Sequence, residues 1–553
     1  MPLKYDRQIA WTIHSAALFL LVACAKKSQT PPERATNGTL VIATSSEAKG
    51  LFPPLMGSAS SRQIEEQIYD YLAVVGPDLN TFGDSGFLPR LAESWKWSGD
   101  SLSIAFKINS RARWHDGVAA DAADVRYTYR VYTSPAVGSA DASELSNIDS
   151  VTTADSRTAT FWYHRRSPYQ LLDATQMMIL PRHLFERIPM DSLKTAGQIA
   201  TPIGTGRFRF KRATRGSSLE VTADTANYRG RPGVDRVIWS FAPNGATAVT
   251  KLLGGEADLF AALKPEDVGA AKRSSNLKVT SIRSTGYVFL AFNLRKPIFA
   301  SRELRRALTM ALDRVSLVKN VYDTLARVAL GPTVRVFPTT DTTLRQIPFD
   351  TSRAKAILDS LGWRATSSQD FRTRNGNVLA FSLVVPSSSP QRVRFAALVQ
   401  EQLRRIGVDV HTDEMEFNAF NNRVDSRDFD AVIWDWRLGA TPNSVRGLWG
   451  AASARNPGGS NFGSYQSAHF DSYVDSAIDA RALSAARMYF RAAYQIIIDD
   501  APAIWLAEPK TVIGLNRRIR TGPMRADAWW FDLGKWTIPK SEQIDRDRIP
   551  TNR

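Results

Sequence analysis

The sequence predicts an α/β protein with more than one hydrophobic core. Three observations carry this reading. Short runs of alternating apolar and polar residues recur between 38 and 290, and helix-spaced apolar patterns become prominent from 301 onward. A strand–helix–strand unit occupies 381–410. The chain has 553 residues, beyond the ~250–300 at which a single core stops growing. A hydrophobic share of 43% with 10% aromatics is enough to fill such cores.

The first residues read as a targeting segment. Lys4 and Arg7 precede an apolar stretch over 9–23 that contains His14 and Ser15; a membrane span needs ~20 apolar residues. A charged start, an apolar middle and small residues before a cut site make a secretory signal. Leu21-Val22-Ala23-Cys24 matches the box of bacterial lipoproteins, in which the thiol is acylated and becomes the new N-terminus. Cys24 is the chain's only cysteine, so an internal disulfide is excluded. An ordinary signal peptide with an unrelated cysteine is the alternative. The polar stretch from Ala25 onward carries Pro31-Pro32 and reads as a flexible tether.

Along the mature chain, 39–43 is a short strand, and Ile64, Ile68 and Tyr71 suggest a helix. The alternation over 102–108 is that of a half-buried strand, Asp116-Gly117 a hairpin turn, and Asp121 a cap for the helix carrying Val125, Tyr129 and Tyr132. Strand patterns return at 207–210, 219–221, 237–239 and 287–293. Ser301 then caps a helix with Leu304, Leu308, Ala311, Leu312 and Val315 at helical spacing. A helix near 353–361 stops at Gly362. Ser389-Pro390 opens another that ends at Ile406-Gly407 between strands 381–385 and 408–410. A last helix over 487–498 precedes Pro502 and the strand 503–507.

The net formal charge is +17, with 53 arginines among the 71 basic residues, spread along the chain. Inside a cell this would suggest nucleic acid; outside, it suggests anionic lipid, cell-wall polymer or an acidic ligand. A general preference for arginine gives the same spread, and no nucleic-acid partner is expected. There is no GxxxxGK[ST], HExxH or GxGxxG, and the glycines around Ser460 miss a GxSxG elbow by one residue. The six histidines show no metal-ligand spacing. His115-Asp116 reads as the rim of a hairpin more readily than as a ligand pair. No metal, cofactor or catalytic constellation is expected, although 54 acidic residues leave a carboxylate dyad open.

Several blocks resemble one family, the solute-binding proteins of ABC importers of the oligopeptide, dipeptide and nickel type (family 5). They are Pro89-Arg90-Leu91-Ala92-Glu93-Ser94-Trp95; Trp114-His115-Asp116-Gly117 with Ala122-Ala123-Asp124-Val125; Gly204-Thr205-Gly206-Arg207-Phe208; and Gly255-Glu256-Ala257-Asp258. Asn293 with Arg305-Arg306-Ala307-Leu308 and Ala311-Leu312-Asp313-Arg314 follows, then 350–362. The resemblance implies a two-lobed periplasmic-binding-protein fold with an added subdomain and a hinge. Transferred to this chain, 1–23 is the signal peptide and 24–37 the tether. The first lobe takes 38–75, 199–288 and 506–540, the added subdomain 76–198, and the second lobe 289–505; 541–553 is a polar tail. Gly204 and Gly206 are expected to permit tight turns.

The expected ligand side is Trp434, Asp435, Trp436 and Arg437. In peptide-binding members a Trp is followed three residues later by an Asp that pairs with the peptide amine. Here that position is Arg437, and a cation cannot hold an ammonium. Alternation places Asp435 and Arg437 on one face, where they can pair with each other, and both tryptophans on the other face, towards a wall or the core. The resemblance implies a lipid-anchored receptor facing the periplasm or cell exterior that delivers a peptide or related solute to a permease and its ATPase. Alternatives are a receptor for an acidic metabolite, sugar or metal chelate, a secreted hydrolase, or a surface adhesin or regulatory sensor on the same fold.

Overall fold

A computed structural model describes residues 37–548, apart from Gly57, Ser368, Gln369, Pro442 and Asn443. Cys24, the signal segment and the tether up to residue 36 lie outside the described residues. Three sheets organise the rest. The first has seven strands in the order Leu277–Ile282, Thr511–Asn516, Leu259–Phe260, Thr39–Thr44, Arg236–Phe241, Ser218–Ala223 and Phe208–Thr214. Thr39–Thr44 runs parallel to Arg236–Phe241 with Ile42 opposite Trp239. These two side chains are buried with Ile64 and Ile68 of the helix Ala59–Ile68; Tyr71 lies past that helix's end.

The second sheet has six strands in the order Ala326–Val328, Ala503–Pro509, Gly286–Phe292, Ala431–Arg437, Ala380–Pro386 and Asp409–Met415. Alternation sorts its side chains onto two faces. Leu290 and Ile433 meet Leu308 and Phe395 of the helices Arg302–Met310 and Pro390–Arg404. Phe289 and Val432 meet Phe470 and Phe490 of the helices Ala468–Asp479 and Leu483–Asp500. The expected βαβ unit is present, with Ala380–Pro386 parallel to Asp409–Met415. A third, antiparallel sheet of Ala92–Trp97, Ser103–Ile108, Thr158–Tyr163 and Ile148–Asp155 lies within the segment 76–198 expected to be the added subdomain.

The chain crosses between the two large sheets at 283–285 and again at Lys510. The expected divisions at 288/289 and 505/506 therefore fall inside the strands Gly286–Phe292 and Ala503–Pro509. Both strands are apolar enough for either sheet, and only their pairing assigns them. The helix expected to run through Val315 also divides. Asp313 accepts from the backbone N–H of Val315 and Ser316, each at 3.1 Å, and starts a new helix at Arg314. Val315 is left 72% exposed.

Most of the motif residues hold the frame. Asp124 closes a capping box with Asp121 and accepts from the Trp114 indole at 3.1 Å and the Arg182 backbone at 2.9 Å. His115 is buried, with Nε2 at 2.9 Å from the Gly206 carbonyl and Nδ1 accepting from the Gly204 N–H at 3.3 Å. Gly204 and Gly206 do not sit at positive φ; a Cβ on Gly204 would lie 1.8 Å from the Ile68 carbonyl oxygen. Close approach requires these glycines, rather than a special turn conformation.

The described part of the expected polar tail is docked on the first lobe. Asp547 is 1% exposed and accepts from the Thr39 N–H at 2.7 Å and from Arg518 at 2.5 Å. Arg518 also grips Asp258 through two bonds of 3.0 Å. A buried ionic knot thus joins both ends of the first lobe, which residue polarity alone does not reveal.

Candidate ligand site between the lobes

The strand Ala431–Arg437 ends where the two lobes meet. A cavity of 270 Å³ opens there, beside both crossing segments. The loop 261–265 walls it from the first lobe. Ser389, Arg392, Asp435 and Arg437 wall it from the second, with Tyr322 and Lys510 alongside. A second cavity, of 340 Å³, lies against Gly439, Ala440 and Thr441, further along the same chain.

The two cavities differ in charge. In the larger one, the basic and acidic groups largely satisfy one another. Arg62 pairs with Glu66 at 2.8 Å, Arg229 with Asp70 at 2.6 Å and Arg525 with Asp527 at 2.5 Å. Burial, helped by the neighbouring Arg229, pulls Arg90 down to about 10. In the smaller cavity Lys264, Arg392, Arg437 and Lys510 meet a single carboxylate, Asp435.

Asp435 forms an ion pair with Arg392, whose guanidinium also lies 5.7 Å from the Trp434 ring. The Arg437 guanidinium makes no hydrogen bond or ion pair with any described residue. Arg437 is exposed, and partial desolvation by the surrounding protein lowers its pKa, opposed by Tyr322. Among the described residues no group of three or more His, Cys, Asp or Glu could hold a metal ion. Nor is any described helix long and apolar enough to cross a membrane.

Residues 86–458 match the model of the bacterial extracellular solute-binding proteins, family 5. The chain belongs to this family. The oligopeptide-binding protein AppA of Bacillus subtilis is 28% identical over 529 residues, covering 93% of this chain and 94% of that protein. The solved AppA structure, in complex with a nonapeptide, superposes with a TM-score of 0.76 at 25% identity, over 91% of this chain and 99% of AppA. NikZ of Campylobacter jejuni, solved with Ni(L-His), shares the fold with a TM-score of 0.77 at 23% identity, over 91% of this chain and all of NikZ (100%). The relatives of this family 5 protein are solute-binding proteins rather than enzymes.

In this family 5 protein, three of the four residues expected on the ligand side line the smaller cavity: Asp435, Trp436 and Arg437. Trp434 instead stacks on Phe420, with centroids 5.2 Å apart, and packs against Phe462. Trp436, which also lines the cavity, is half-buried against Phe289. The pair that could form between Asp435 and Arg437 does not; Arg392 takes the carboxylate. Sequence reasoning missed Arg392, Tyr322 and the loop 261–265. The only local signal was Ser389-Pro390, which marks a helix start near the cavity. The Ser389 side chain makes no cap bond there.

Proposed function

We propose that the chain is the solute receptor of an ABC importer, tethered through an acylated Cys24 and delivering its ligand to a permease driven by an ATPase. The ligand is a peptide or a chemically related small solute held between the lobes. The cavity at the crossing segments carries this reading. Both lobes wall it, so rotation about 283–285 and Lys510 would bury whatever lies inside. The peptide in the AppA complex supports that ligand class. A non-peptide solute is the second reading, favoured by Asp435, which is already neutralised by Arg392 and leaves no free carboxylate in this cavity for an ammonium.

Three measurements test the proposal. Native mass spectrometry of freshly purified protein should find a retained solute, and adding that solute to emptied protein should lower the radius of gyration in small-angle scattering. Turnover of the solute, or binding without compaction, would overturn the receptor reading. A fatty-acid analogue should label the wild type and leave Cys24→Ala unlabelled and released. More than one chain is needed for firm retention, because a single acyl chain binds a membrane only marginally.

A further inference from the structure

We infer that the smaller cavity is a carboxylate subsite in which Arg437 receives the anion and Lys264 and Lys510 supply the surrounding positive field. The assignment rests on the receptor reading above and names the ligand chemistry of that site. Four cationic side chains against one carboxylate leave the lining with a formal charge of +3. Asp435 does not quench it locally, because its charge is spent on Arg392. One further nitrogen of Arg392, Nη1, is buried without a hydrogen-bond partner among the described residues.

Arg437 is the accessible member of the set. Its guanidinium is a planar fork whose paired N–H groups match the two oxygens of a carboxylate. In a cavity partly closed to water such a pair gains far more than on an open surface. The Lys510 ammonium donates to the Thr324 carbonyl at 3.1 Å, so it is held beside the cavity rather than free in solvent. The larger cavity lacks this bias, since its arginines are mostly matched by acids.

The charge is also divided between the lobes. Lys264 lies on a first-lobe loop, whereas Arg392 and Arg437 belong to the second lobe. Without an anion these cations repel one another across the cleft and favour an open hinge. A carboxylate between them turns repulsion into attraction, so the ligand's charge itself drives closure. An ammonium at the same place would oppose closure.

The test uses the full chain and three probes: tri-alanine, tri-alanine C-terminal amide, and succinate. Titration calorimetry on wild type, Arg437→Ala and Arg437→Lys reads affinity, and small-angle scattering reads closure. The wild type should bind at least one free-acid probe, and prefer tri-alanine to its amide about 30-fold or more if the carboxylate is a peptide terminus. Arg437→Ala should remove about 30-fold in affinity for the free acid, and Arg437→Lys should restore only part of it. Binding of succinate without tri-alanine assigns the carboxylate to a small acid, and the reverse assigns it to a peptide end; either supports the subsite. Equal affinity for acid and amide, an unaltered affinity in Arg437→Ala, or no binding of any free-acid probe overturns it. An amide that binds as tightly as the free acid and closes the hinge would retain the receptor while removing the subsite. A retained solute that never compacts the protein would remove the receptor reading itself.

Discussion

Glu65 and Arg437 are both charged in sequence, yet their surroundings treat them in opposite ways. Arg437 is left accessible at a cavity. Glu65 is 0% exposed on the helix Ala59–Ile68, and neither carboxylate oxygen has a hydrogen-bond partner among the described residues. Burial, reinforced by the negative charges of Glu66 and Asp141, pushes its pKa from 4.5 to about 8. The folded protein therefore holds a proton that the unfolded chain releases near pH 4.5. This contribution to stability is complete below about 4.5, is lost as the pH rises to about 8, and is flat above. Glu65→Gln keeps the neutral shape and cannot ionise. Urea unfolding of both proteins at pH 5 and pH 9 should show the balance shifting in the variant's favour at the higher pH. A difference independent of pH would mean that Glu65 is ionised in the folded state.

At the scale of elements, single polar side chains close the helix ends. The helix Leu483–Asp500 stops at Ala501, which adopts φ 49° before Pro502. Its last carbonyls are taken by Arg305, which donates to Asp500 O at 2.6 Å and Ala501 O at 3.1 Å, and to Phe299 O at 2.7 Å. A cation at a helix C-terminus also complements the helix dipole. Arg305→Ala should cost about 3 kcal/mol, since it strands buried carbonyls. Arg305→Lys should recover less than half, because an ammonium cannot span the same acceptors. Equal stability of Arg305→Lys and wild type in denaturant titration would contradict this role. The helix periodicity and Pro502 were legible in sequence, and so was the arginine motif. The guanidinium's target was not, because it lies almost two hundred residues away along the chain.

Over the whole molecule, the first lobe is a sheet assembled from distant segments, and its closure depends on the knot of Thr39, Asp258, Arg518 and Asp547. Asp547→Ala should destabilise the protein by about 3–5 kcal/mol, the usual cost of removing one partner from a buried ion pair. Truncation after Pro539 should cost at least as much. Thermal unfolding checks both, and an unchanged transition for either would return 541–548 to the status of a free tail. Hinge closure belongs to the same scale. In the proposed closure the six-stranded and seven-stranded sheets would move as bodies, with strain confined to 283–285 and Lys510. These segments carry only two chain crossings, so rotation there disturbs few strand hydrogen bonds.

The α/β class, the parallel βαβ unit, the cap at Asp121 and the stop at Gly362 were determined by sequence alone, because periodicity and capping act within a few residues. The ordered motif blocks also sufficed to point to the family. Tertiary structure decided which sheet owns Gly286–Phe292 and Ala503–Pro509, since an apolar strand fits any sheet that offers it an open edge. It decided that His115 clips Gly204 and Gly206, and that Asp547 is core rather than tail. It also decided the chemistry of the site. Asp435 and Arg437 are neighbours on one face, and sequence permits them to pair. Only the arrival of Arg392 from a separate helix satisfies the acid and leaves the cation free. Charge neutralisation depends on distance in space, and that distance is fixed by packing.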